Sequence, residues 1–193
     1  APQVSMNPYY IQLPQCNITS NPYGGNTGNY GLLNCLAIQH NGTWAVVRFY
    51  YQSGEQGAIL SFQVGQYPGG YLYAWTPWVY VGTNGKLYIG DWNGFVWHVN
   101  FSLTPGWHTL IAGEYYSGGK YYIVAYLDSP SNNQSTTTTY LPQLFGFLGP
   151  YPYDDVGTGF TTISTWPSIP GTLNTWFFYD GVIQYVALYP GGS

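Results

Sequence analysis

Charge is almost missing from this chain. Only 5% of its 193 residues are charged, against about 25% in an average soluble protein. The positive side chains are Arg48, Lys86 and Lys120. Nothing here is basic enough to follow a phosphate backbone, so nucleic acid is disfavoured as a partner. The net charge of −4 is small, so solubility rests on amides, hydroxyls and attached sugars. Cysteine is scarce too, with Cys16 and Cys35 alone. No CxxC or Cys/His pattern is present, which disfavours zinc. No apolar run approaches the ~18 residues of a membrane span, so membrane insertion is not expected. A start Met is also missing. Ala1-Pro2-Gln3 reads as a mature terminus left by signal-peptide removal, with a trimmed start as the alternative.

What fills the space is aromatic. Aromatics make up 20% of the residues, led by 22 Tyr. Tyr combines a large apolar body with a polar tip that tolerates a wet surface. Such a composition suits a secreted protein. An even, minimal cysteine count fits one Cys16–Cys35 disulfide in an oxidising compartment, with two free buried thiols as the alternative. Sequons at Asn17, Asn41, Asn100 and Asn133 are candidate N-glycosylation sites on an extracellular or cell-surface chain.

Period-two alternation dominates the pattern. Phe95, Trp97, Val99, Phe101 and Leu103 alternate with Val96, His98, Asn100 and Ser102, which predicts a strand with one buried face. Ala58, Leu60, Phe62 and Val64 alternate in the same way. Stretches 44–51, 121–127 and 182–189 are rich in β-branched and aromatic residues, as strands prefer. Asn84-Gly85 and Gly118-Gly119 are the strongest hairpin turns. Stretches 129–139 and 150–170 read as exposed connections, and no stretch has a helical period. Three Pro fall within residues 1–15, which predicts an extended arm or edge strand. Residues 16–193 then form a single all-β sandwich domain.

Three passages carry a family resemblance. Gly85-Lys86-Leu87-Tyr88-Ile89 resembles a G-K-L hairpin strand. Gly106-Trp107-His108-Thr109-Leu110 followed by Tyr121 to Asp128 resembles a central G-W-H strand pair. Phe178 to Tyr189 resembles a closing F-x-G-x-I-x-x-V-x-I-Y strand. Together they are similar to laminin-G and other concanavalin A-like lectin-type domains. The resemblance implies a two-sheet antiparallel jelly-roll sandwich. A Gly expected after Asp128 is replaced by Ser129-Pro130, and residues 1–43 lie outside the match.

Glycosidases of that fold place paired carboxylates on one strand. Glu55, Asp91, Glu114, Asp128, Asp154, Asp155 and Asp180 contain no i, i+2 pair. No G-x-S-x-G elbow occurs, so an enzyme is not expected. Calcium is the one cofactor for which the sequence offers candidate ligands. Its candidates are Asp154 and Asp155, weighed against an Asp pair that stabilises an exposed turn. Trp75, Trp78, Asp91 and Trp92 near two predicted turns are candidate sugar-binding residues, weighed against packing roles. The leading functional expectation is a structural subunit of an extracellular homopolymer, whether filament, pilus-like fibre or surface coat. Its first 14 residues would complete a neighbour's sheet by donor-strand exchange. The alternative is a carbohydrate-binding lectin or adhesion module.

Overall fold

The computed structural model describes residues 13–65, 72–162, 166–171 and 174–192. The expected strand exchange by residues 1–14 falls almost wholly outside these. In chain order the elements are β1 (Cys16–Ile18), β2 (Gly28–Tyr30), α1 (Leu32–His40), β3 (Gly42–Tyr51), β4 (Gly57–Gly65), β5 (Leu72–Val81), β6 (Lys86–Trp92) and β7 (Val96–Ser102). They continue with β8 (Gly106–Ser117), β9 (Lys120–Leu127), β10 (Asn133–Thr138), α2 (Gln143–Gly146), β11 (Pro152–Val156), β12 (Phe160–Thr161), β13 (Thr175–Trp176) and β14 (Val182–Pro190).

The architecture is all-β and built on antiparallel ladders. One five-stranded sheet runs β10-β9-β8-β3-β14 and another runs β11-β4-β5-β6-β7. They share one core. Ala45, Val47 and Phe49 of β3 and Leu110 and Ala112 of β8 meet Leu87 and Ile89 of β6 and Trp97, Val99 and Phe101 of β7. In β3 and β7 these residues alternate with less buried neighbours, as the pleat dictates. Phe95 departs from the expected stripe. The β6–β7 turn ends beyond it, and it is 50% exposed against Tyr140.

Turn chemistry sets the meander. Gly118 and Gly119 both have positive φ, at 57° and 85°, which matches the right-handed twist of the β8–β9 hairpin. The sheet holding β3 closes late in the sequence. β14 pairs along β3 from Val182↔Tyr50 to Pro190↔Thr43, and Trp44 Nε1 donates to the Gly191 carbonyl at 3.0 Å, 147 residues away.

Three readings are corrected. Stretch 150–170 was expected as loops, yet 152–156 is β11, paired with β4 from Pro152↔Val64 to Val156↔Leu60. Pro152 opens an edge strand, a position that needs no ladder N–H. Stretch 129–139 holds β10, an edge strand whose polar residues suit its exposure. A helix was not expected, yet α1 spans nine residues. Leu33, Asn34, Cys35, Ala37 and Ile38 are all buried. With almost every side covered, the helix carries no polar stripe for periodicity to detect.

Cys16 and Cys35 form a disulfide across a separation of 19 residues, tying β1 to α1. Loop-closure entropy assigns it about 3 kcal/mol. Replacing both cysteines with Ser is expected to lower urea-unfolding stability by about that amount, and an unchanged midpoint would contradict it.

Candidate functional site

Two features stand out from the scaffold. The first is a polar cluster buried between the sheets. β5 carries a bulge, because Leu60 pairs with Val79 while Phe62 pairs with Thr76. The extra residue falls at Pro77-Trp78, where Pro has no N–H to lose. The bulge lets Thr76, Trp78 and Val79 all be buried. Asp91 follows Leu87 and Ile89 on the core face of β6, and Glu114 follows Leu110 and Ala112 on that of β8. The two carboxyls, from opposite sheets, lie close enough for each to shift the other's ionisation.

Asp91 Oδ1 accepts the Trp92 N–H at 2.6 Å and Oδ2 accepts the Leu144 N–H at 3.1 Å. Thr76 Oγ1 lies 3.5 Å from Asp91 Oδ1 and 2.5 Å from Gln143 Oε1. Glu114 Oε1 accepts Trp78 Nε1–H at 3.1 Å. No donor reaches Glu114 Oε2 among the described residues. Two buried carboxyls this close do not both ionise, so the pair keeps a proton. Burial first, then the Asp91 charge, pushes Glu114 well above the ordinary carboxyl range. Burial also raises Asp91, and its hydrogen bonds partly offset the rise. Asn34 Nδ2 donates to the Leu144 carbonyl at 2.9 Å, holding α2 across the cluster.

Asp154 and Asp155 extend the theme. Both are buried in β11, which corrects the exposed-turn reading. Asp154 Oδ2 accepts the Leu33 N–H at 3.1 Å and so caps α1 from a distant strand. Gly31 permits this approach, because a Cβ there would sit 2.9 Å from Asp154 Oδ1. Asp155 lies on the opposite face beside Ser61, whose hydroxyl donates to the Thr158 carbonyl at 2.7 Å. Burial lifts Asp154 to about 7. Burial and then the Asp154 charge lift Asp155 well above the usual range. Neighbours on a strand point to opposite faces, so these two cannot ligate one calcium ion. Among the described residues no group of three His, Cys, Asp or Glu could hold a metal.

The second feature is a sheet face left bare by the other described elements. Trp44, Val46, Arg48 and Tyr50 of β3 point away from the core. In register beside them lie Tyr189, Ala187 and Tyr185 of β14, then Gly113, Ile111 and Thr109 of β8, and Val124 and Tyr126 of β9. Trp44 stacks on Tyr115 at 5.9 Å, and Tyr115 stacks on Tyr122 at 5.0 Å. Gly113 makes room for the Trp44 indole, which lies 2.4 Å from where its Cβ would be. Arg48 sits over the Trp107 ring at 5.2 Å and donates to Thr109 Oγ1 at 2.9 Å, and Lys120, two residues before Tyr122, lies at the hairpin end of the same face. Trp107 is 44% exposed, Ile111 40%, Tyr185 46% and Tyr189 52%.

The four residues expected to bind sugar are not brought together at a surface. Trp78 and Asp91 are fully buried and share the carboxyl cluster. Trp92 packs on the far side of its sheet with Tyr80, Tyr88 and Trp166. Trp75 is edge-on to Phe160. Of the sequon residues, Asn17, Asn41 and Asn133 are exposed and Asn100 is half-buried opposite Tyr88. His108 is tied at 2.6 Å to Asp128 and at 2.6 Å to the Thr104 carbonyl.

Sequence reasoning missed the Asp91–Glu114 pair. The available signal was alternation, since each acid continues an apolar stripe at i+2. Gln143 gave no signal at all. No family model matches this chain, and no curated protein matches it.

Proposed function

We propose that this chain is a structural subunit of an extracellular assembly, with a second copy of itself as the partner. The observation that carries this reading is the bare aromatic face on β3, β8, β9 and β14. A wet surface normally interrupts such a face with charge, and among the described residues Arg48 alone does so within it, with Lys120 at its hairpin end. Four strands at ~4.8 Å and about 9 residues at ~3.3 Å give an area of about 570 Å². That is about 70% of the ~800 Å² per partner of a standard interface. Lack of charge favours a partner equally poor in charge, and this chain supplies one. The Cys16–Cys35 disulfide supports an oxidising compartment. A laminin-G-like jelly roll is the fold we infer, supported by the two antiparallel five-stranded sheets.

A second reading has its own support. The Trp44–Tyr115–Tyr122 stack offers flat rings of the kind on which sugars lie. Sedimentation and negative-stain microscopy of native material separate the two readings. Oligomers or fibres that Ile111→Lys disperses, at unchanged circular dichroism, are the expected result. Ile111 is 40% exposed, so the substitution leaves the core intact. Monodisperse particles that bind a glycan array would replace the first reading with the second.

A further inference from the structure

We propose that Thr76 and Gln143 are joined by an intramolecular ester bond that the folded chain forms by itself. This does not rest on the assembly reading. Thr76 is fully buried, and its Oγ1 lies 2.5 Å from Gln143 Oε1. That separation is at the short end of the range for O–H···O contacts. The amide carbon is one bond, about 1.2 Å, beyond that oxygen. The hydrogen bond holds the hydroxyl oxygen within about 4 Å of that carbon, and a turn of the Gln143 amide about its last side-chain torsion would present the carbon's face to it in a near-attack arrangement.

A base is already in place. Asp91 Oδ1 lies 3.5 Å from Thr76 Oγ1. Burial and the Asp91 charge favour the proton on Glu114, and Trp78 Nε1–H fixes Glu114 in turn. The Leu144 N–H bond to Asp91 keeps Gln143, one residue earlier, against the pair. Arg48, Lys86 and Lys120 all lie elsewhere, on the bare face or at exposed turns. Hydroxyl chemistry is thus the option this cluster offers, and a lysine amide is not.

The step balances without an oxidant or any other reagent. Thr76 Oγ1 bonds to Gln143 Cδ while its proton passes to Asp91. The Cδ–Nε2 bond then breaks, and the same proton leaves with that nitrogen as ammonia. The product is an ester in which Oγ1 replaces Nε2. Trp78, Leu144 and Phe145 are fully buried around the cluster and Gln143 itself is half-buried, so these apolar walls restrict the approach of water to the product. The link would bridge 67 residues and fasten α2 to β5.

Peptide mapping by mass spectrometry decides the matter. The native chain is digested with pepsin, whose acid medium spares esters. The expected result is a branched peptide joining the Thr76 and Gln143 segments, lighter than their sum by one ammonia. Thr76→Ser is expected to retain the loss, whereas Thr76→Val and Asp91→Asn abolish it. Separate wild-type peptides with an intact Gln143 amide would overturn the proposal. So would Glu at position 143 with a free Thr76, or an ammonia loss mapped to any Asn. The wild-type map is decisive even if a variant fails to fold.

Discussion

Acidifying the medium from about pH 8 to about pH 4 raises the melting temperature of this protein. Most globular proteins move the other way over the acid half of that range, because their carboxylates are stabilised as anions. Here Asp91, Glu114, Asp154 and Asp155 are buried, and all four are held above the ordinary carboxyl value. The folded chain therefore binds protons that the unfolded chain releases. For Asp154 the stabilisation is complete below its unfolded value of 3.8 and is lost as pH rises through about 7. A gap of about three units corresponds to about 4 kcal/mol. For a chain of this size that amounts to a shift on the order of 10 °C. Asp155 and Glu114 add in the same direction. Thermal unfolding followed by circular dichroism across that range is the measurement. Asp154→Asn should make the dependence shallower. A melting temperature that peaks near neutrality would refute the account.

Gly57→Val is expected to destabilise the fold by about 3 kcal/mol or more. Gly57 opens β4 with φ at +132°, a conformation that resists any side chain. A Cβ there would lie 2.0 Å from the Phe178 carbonyl oxygen and 2.3 Å from the Tyr179 Cα. Backbone cannot yield as a flexible side chain would. The strand leading into β14 is anchored at this point. Ala58 N–H donates to the Phe177 carbonyl at 2.9 Å, and Gln56 N–H donates to Asp180 Oδ1 at 2.8 Å. Gly54 is the control: its φ is +90°, but nothing lies within 4 Å of the added atom. Gly54→Val is expected to cost about 1 kcal/mol from backbone strain alone. Equal losses for the two variants, measured by urea unfolding, would contradict the steric argument.

The elements legible in the sequence are those whose signal is local. The 96–102 strand shows its buried stripe directly, and Asn84-Gly85 and Gly118-Gly119 mark turns through backbone chemistry that needs no partner. The cysteines offered one possible pairing. Contacts made at a distance were hidden. β11 carries two Asp that look like loop residues until α1 supplies the Leu33 N–H that Asp154 accepts. α1 is buried on nearly every side, which removes the polar stripe that marks a surface helix. Asp91 and Glu114 sit on strands of different sheets, so only the closed fold brings them together. The same holds for Thr76 and Gln143, 67 residues apart. The bare outer face was half visible, since residues 44–51 alternate but give no sign of which side stays uncovered.

The pairing of β3 with β14 has a consequence for the order in which the molecule can be made. β3 is an inner strand, yet one of its two neighbours is the strand at residues 182–190. At a synthesis rate of ~5–20 residues per second, the wait between the two is on the order of 10 s. During that time the sheet has an open edge, and its inner apolar row lacks the cover of Ile183, Val186 and Leu188. Non-local pairing of this kind also makes for slow folding once all the parts exist. The sheet therefore keeps β3 as an open edge until its closing strand arrives, and it is complete only once that strand has paired.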